Sequence, residues 1–281
     1  MSSLSTNPLA RHFRQPILHI KLPSNGRWYP EGVLDLPATG EVPIYAMTAK
    51  DELTMKTPDA LMNGAATASV IHSCCPSIKD PWKMPVVDLD ILLLSIRIAT
   101  YGKELEFTSV CPHCSTKVEQ GLDIGVMMDK INPGEWSQPI LVNGLTIKMR
   151  PLSFKDYNSN NITNFDEQRI IQVVQNDELS DAEKQKRFDE IFQKLIDTGI
   201  TAVSKNVEYI LNEEGERVSD QAFILEFLNN CDKSIWDSIR AYLDVIKENN
   251  RYNEIDLTCT NEECGKPFMS PFLFEQTNFF G

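Results

Sequence analysis

Two cysteine pairs carry the most chemistry in this sequence: Cys111-Pro112-His113-Cys114, and Cys259-Thr260-Asn261-Glu262-Glu263-Cys264 followed by Gly265. Each lies in a turn between stretches that read as strands: Glu104–Phe107 and Lys117–Glu119 around the first, Glu254–Leu257 and Lys266–Met269 around the second. A strand, a two-cysteine turn and a strand make half a zinc ribbon. Two halves supply four thiolates, the ligand set of a closed, tetrahedral structural Zn2+ site. Cys111, Cys114, Cys259 and Cys264 are therefore the candidate metal ligands. Zinc–sulfur bonds of about 2.3 Å predict sulfurs about 3.5–4 Å apart.

The spacing has a physical basis. Pro112 helps to fix the first turn, and Gly265 can take positive φ cheaply and aim backbone N–H groups at a thiolate. The second pair has a longer turn than the first, and residues 115–258 become one long insertion whose ends the metal ties together. Closing so long a loop constrains the unfolded chain. The competing readings are two unrelated free-cysteine turns or a disulfide; the matching strand–turn–strand contexts speak against the first, and seven cysteines without even spacing speak against the second. A four-cysteine site has no open coordination position and cannot activate water.

Other candidates carry less. His113 sits inside the first turn, which should point it away from the sulfurs, and His72, Cys74 and Cys75 read as part of a buried helix end because adjacent cysteines chelate one ion poorly. No glycine-rich phosphate loop, HExxH pair or GxSxG elbow occurs, and no carboxylate pair sits in a context that suggests tuned acid–base work. The expectation is a protein without catalytic or cofactor-binding residues and without a small-molecule substrate. A net charge of −13 and a pI near 4.8 disfavour general binding to nucleic acid or anionic membrane. The first 16 residues lack an apolar run, so no secretory leader is expected, and the apolar stretch at Leu89–Ala99 is too short and interrupted to span a bilayer.

The elements that must position the cysteines follow from local signals. Leu22–Pro30 is turn chemistry around Asn25-Gly26, and Glu41–Met47 reads as a strand that Pro43 places at an edge. Thr48 caps a short helix through Met55; Thr57, with Pro58 behind it, caps a longer one through Ala60, Leu61, Ala65, Ala68 and Ile71. Asp88 caps Leu89–Tyr101, a helix apolar almost all round that closes at Gly102 and must be buried; its Arg97 then needs a carboxylate. Asn143-Gly144 sets a hairpin between 138–142 and 145–149. Residues 154–175 read as helix, Ser180–Glu183 as a capping box before a stripe of Phe188, Ile191, Phe192, Leu195 and Ile196, and Thr201–Leu211 as a strand turned at Asn212–Gly215. Asp220 and Asp232 start two more helices, the last placing Ile235, Trp236, Ile239, Leu243 and Ile246 on one face. Four phenylalanines in 272–281 need cover, from this chain or a partner.

The fold class expected is α+β: a zinc-ribbon-like β element formed by two distant cysteine knuckles, with a largely helical insertion and an N-terminal helical and strand region. The parts are a flexible basic arm (1–16), the N-terminal region (17–102), the ribbon-like element (103–124 with 253–271), a hairpin-plus-helix insertion (125–252) and an aromatic tail (272–281).

Several runs occur in a telling order: Leu22-Pro23-Ser24 with Gly26 and Tyr29, Val42-Pro43-Ile44 with Met47–Glu52, Arg97–Gly102 just before Cys111–Cys114, and Asn143-Gly144 through Arg150-Pro151. Together they resemble the baseplate hub proteins of T-even-like contractile-tailed bacteriophages, over roughly residues 17–275. The resemblance implies a structural subunit or assembly factor of the central hub, without enzymatic activity, in contact with other baseplate hub and tail proteins. It would act in the host cytoplasm during assembly and in the virion tail baseplate afterwards. The alternative is a zinc-ribbon nucleic-acid-binding or transcription-associated module. Glu104, Glu106, Glu119, Asp123, Glu254, Asp256, Glu262 and Glu263 beside the cysteines oppose it.

Overall fold

The computed structural model describes residues 9, 12–57, 64–161, 196–249 and 254–271. In the N-terminal lobe, strand β1 (Pro16–Ile20) pairs antiparallel with β2 (Val42–Tyr45), which is an edge strand as Pro43 requires. Thr48 caps helix α1 (Ala49–Met55) through a capping box: the Asp51 N–H donates to the Thr48 hydroxyl, and the Thr48 N–H donates back to the Asp51 carboxylate at 2.8 Å. That buried carboxylate also accepts from the Ser73 hydroxyl at 2.9 Å. Arg14 joins the same cluster. It lies 3.5 Å from Asp51 and donates to the carbonyls of Ala46 (2.5 Å) and Ser73 (2.6 Å). The basic N-terminal segment is thus anchored from Arg14 onward, and β1, which the sequence pattern did not reveal, begins at Pro16.

Helix α2 (Ala65–Cys74) starts later than the sequence suggests. Gly64 adopts a φ of +74°, a left-handed conformation that a helix cannot contain, so the helix begins after it; Ala60 and Leu61 lie outside the described residues. Cys74 and Cys75 are fully buried, and burial pushes their thiols up to about 11 and about 12, which suits inert core residues.

Helix α3 (Leu89–Tyr101) ends at Gly102 with φ +88° and buries most of its surface, the expected outcome for so apolar a sequence. Asp88 does not cap it. A cap residue must be extended, but Asp88 already has helical φ and ψ at the end of a 3-10 turn, Val86–Asp88. Its buried carboxylate instead accepts from the Ser24 N–H (2.8 Å), the Ser24 hydroxyl (2.6 Å) and the Tyr29 hydroxyl (2.9 Å). Burial pushes this acid up to about 6 in spite of those bonds. Arg97 is half-buried, stacks 4.7 Å from the Tyr101 ring centre and donates to the Gly102 carbonyl.

Residues 125–252 hold more sheet than expected. Strands β5 (Ile140–Val142) and β6 (Leu145–Met149) form the predicted hairpin, with positive φ at Asn143 and Gly144. β7 (Val207–Leu211) and β8 (Arg217–Val218) extend it to a four-stranded antiparallel sheet ordered β5-β6-β7-β8. Only the second half of the strand expected at Thr201–Leu211 is extended; 201–206 is helical, and Ser204 bonds back to the Thr201 carbonyl. Asp220 caps α4 (Gln221–Asn230), and α5 (Lys233–Asn249) lays Ile235, Ile239 and Ile246 into this lobe's core with Ile147, Met149 and Val207. The 162–175 part of the helix expected at 154–175, the capping box at 180–183, the stripe up to Leu195 and the tail at 272–281 fall outside the described residues; Ile196, the last residue of the stripe, is exposed.

The lobes meet where Val86 N–H donates to the Leu152 carbonyl and Phe154 N–H to the Met84 carbonyl, beside the stacked rings of Trp82 and Phe154, 5.2 Å apart. Beyond α3, two separate antiparallel hairpins stand against the N-terminal core: β3 (Glu104–Val110) with β4 (Lys117–Asp123), and β9 (Glu254–Thr258) with β10 (Pro267–Pro271). Phe107 and Ile255 face both that core and a smaller one made of Cys111, Val118, Leu257, Cys259 and Phe268. The Ser109 and Ser270 hydroxyls, 2.6 Å apart, stitch one hairpin to the other.

Candidate metal centre

Each hairpin presents its turn at the same end of the small core. In the first turn Cys111 N–H donates to the Thr116 carbonyl and Ser115 N–H to the Cys111 carbonyl, both at 2.9 Å. In the second, Cys259 N–H donates to the Lys266 carbonyl at 3.0 Å, and the N–H groups of Cys264 and Gly265 converge on the Asn261 carbonyl at 2.9 Å. The residue after the last cysteine has positive φ in both turns, +60° at Ser115 and +51° at Gly265. Glycine takes that conformation without strain, as its place in the sequence suggested; a serine there is a position no pattern announced.

The four sulfurs converge. Those of Cys111, Cys114, Cys259 and Cys264 all lie within 4.8 Å of one another, with Cys114 and Cys259 3.4 Å apart and Cys111 and Cys264 4.0 Å apart. These two distances bracket the edge of about 3.8 Å that four sulfurs bound at about 2.3 Å to one tetrahedral ion would have. No pair is a disulfide. Cys111 and Cys259 are buried, Cys114 is exposed and Cys264 half-buried, so the group sits at the surface end of its core. His113 is exposed and stays out of the cluster.

Two residues that the sequence reading passed over frame the site. Thr116 places its hydroxyl 3.3 Å from the Cys114 sulfur, and Asn261 donates from its side-chain amide to the same hydroxyl, also at 3.3 Å, bridging the turns. Thr116, through its hydroxyl and its backbone, holds the Cys114 thiol down at about 6. Cys259 receives a backbone hydrogen bond at Asn261 that favours its thiolate, yet burial and the neighbouring cysteines push it up to about 12. Of these two, Cys114 carries a negative charge the more readily.

Elsewhere the described residues offer little for catalysis. They contain no other cluster of three or more His, Cys, Asp or Glu side chains arranged to hold a metal ion. A cleft of about 580 Å³ between the lobes is lined chiefly by apolar groups such as Val86, Leu89, Trp136, Leu243 and Ile246, with Asp90 and Lys247 its charged members. No described helix is long and apolar enough to cross a membrane.

Fold and site together define a two-lobed α+β protein in which two remote turns meet through four thiols. Residues 17–281 match the family described as T4 bacteriophage base plate protein, and the chain belongs to that family. No curated protein and no solved structure gave a match. The family assigns the chain to the phage tail baseplate, where a structural role means contact with other tail proteins.

Proposed function

We propose that this chain is a non-enzymatic building or assembly subunit of the baseplate's central hub, with its two hairpins clipped together by a structural Zn2+ on Cys111, Cys114, Cys259 and Cys264. The observation that carries the metal is the gathering of four sulfurs within 4.8 Å from turns at opposite ends of a long insertion. A bound zinc ion would supply cross-linking and charge neutralisation there and no reaction chemistry, since four thiolates fill its coordination. The chain's own residues prepare the site: Ser115 and Gly265 turn the backbone, Thr116 and Asn261 join the turns, and Phe268 fills the space beneath.

Other baseplate hub and tail proteins are the partners this reading names, met in the host cytoplasm during assembly and in the tail afterwards. The exposed carboxylates around the turns, Glu104, Glu106, Glu119, Asp123, Asp256, Glu262 and Glu263, support a protein partner over nucleic acid. The test has two arms. Purified chain should carry one zinc per molecule by elemental analysis, and a phage lacking the chain should fail to complete its baseplate. Normal tails assembled without it would end the hub reading, and metal-free protein with an unchanged melting curve would end the zinc reading.

A further inference from the structure

We propose that Cys114 and Cys259 form an oxidant-responsive pair, which a peroxide converts into a disulfide bridging the two cysteine turns. The proposal rests on the four-sulfur reading of the site and adds a second way of closing it. The Cys114 and Cys259 sulfurs face each other across the two turns at 3.4 Å, nearer than Cys111 and Cys264 at 4.0 Å. A disulfide bond is about 2.05 Å long, so these sulfurs need to approach by only about 1.4 Å. Cys114 is the exposed member of the quartet and meets a dissolved oxidant first; Cys259 stands buried behind it, placed to resolve the product.

The chemistry balances with peroxide as oxidant. The Cys114 sulfur attacks one peroxide oxygen, the O–O bond breaks, and a sulfenic acid and one water form. The Cys259 sulfur then attacks the sulfenic sulfur, the S–O bond breaks, and a second water leaves with the Cys259 proton. Two thiols have lost two electrons in all, and the peroxide has gained them. The resulting covalent link joins the same two turns that the metal would join. A particle that leaves a reducing compartment and meets an oxidising medium would keep its hairpins tied.

The full-length chain, purified reduced, would be treated with hydrogen peroxide, alkylated and digested without reductant, and its peptides mapped by mass spectrometry. The expected result is loss of free thiol at Cys114 and Cys259, with the two peptides recovered as one species lighter by two hydrogens. Pairing within a turn (Cys111 with Cys114, or Cys259 with Cys264), or Cys114 driven to sulfinic acid without a partner, would overturn the proposal. Zinc release, followed with a metal-indicator dye in the same reaction, separates this from the metal reading. A Cys114–Cys259 link formed by a chain that never held zinc upholds the pair and removes the ion. Zinc released with within-turn pairing does the reverse. Because Cys259→Ser is expected to weaken the fold, Cys264→Ser serves as the second variant: it should retain the Cys114–Cys259 link, and its loss there would also count against the pair.

Discussion

The two cysteine turns do the same work with different lengths, and the difference shows what such a turn must preserve. In the first, Ser115 N–H closes onto Cys111; in the second, Gly265 N–H closes onto Asn261. Asn261-Glu262-Glu263-Cys264-Gly265 is therefore the counterpart of Cys111-Pro112-His113-Cys114-Ser115, with an asparagine where the first turn has its leading cysteine. In the longer turn that cysteine stands two positions earlier, at Cys259, and its sulfur still reaches the group. The hydrogen-bonded loop and the left-handed residue after the second cysteine are common to both. The spacing of the cysteines is not.

The largest effect that could break this comparison is loss of a buried sulfur. Cys111→Ser and Cys259→Ser should each cost several kcal/mol, on the order of a substantial fraction of a structural zinc's binding energy. Thermal unfolding with and without a chelator measures it: each variant should melt lower than the parent and respond less to the chelator, and equal damage would establish the turns as equivalent. Next comes the apolar support. Phe268→Ala empties the largest side chain of the small core and should cost about 3–5 kcal/mol by chemical denaturation. A near-zero result would mean that the sulfurs alone hold the turns.

Smaller effects sharpen the equivalence of the backbone. Gly265→Ala meets nothing within 4 Å, so its cost of about 1–2 kcal/mol is conformational only, while Ser115→Gly should stabilise by up to about 1 kcal/mol. Same-sign shifts for this pair would contradict matching left-handed positions. Asn261→Ala removes the long bond to Thr116 and the acceptor of the Glu263 N–H, and should cost about 1 kcal/mol, detectable as a lower midpoint in a urea titration.

What could be read without the structure was what short-range chemistry decides. The Thr48 cap, the Asn143-Gly144 hairpin, the helix start at Asp220 and the strand–turn–strand frames of the cysteines all rest on neighbours within a few residues, and all appear. What escaped depends on distant partners. β1 contains Pro16 and owes its existence to β2, and Arg14 belongs to the body of the lobe only because Asp51 and Ser73 come to meet it. Asp88 carries every local sign of a helix cap, but its hydrogen-bond partners are Ser24 and Tyr29, far back in the chain. In the site itself the four cysteines were legible from spacing and context. Thr116 and Asn261 were not, because their bond to each other forms only once the hairpins lie side by side.

The acid beneath the Leu22–Tyr29 loop works against the protein in neutral solution. Its affinity for a proton, raised to about 6 from an ordinary value near 3.8, means that folding favours the uncharged form. The stabilisation is complete below about pH 4 and is lost as the pH climbs through about 6. Asp88→Asn keeps the shape and offers a carbonyl to the Ser24 N–H, so it should erase this slope: parent and variant denaturation curves should diverge between about pH 4 and about 6, with the amide form the firmer at neutrality. A loop that a single proton tightens would grip better in acid than at neutral pH, and parallel curves for the two proteins would show that it does not.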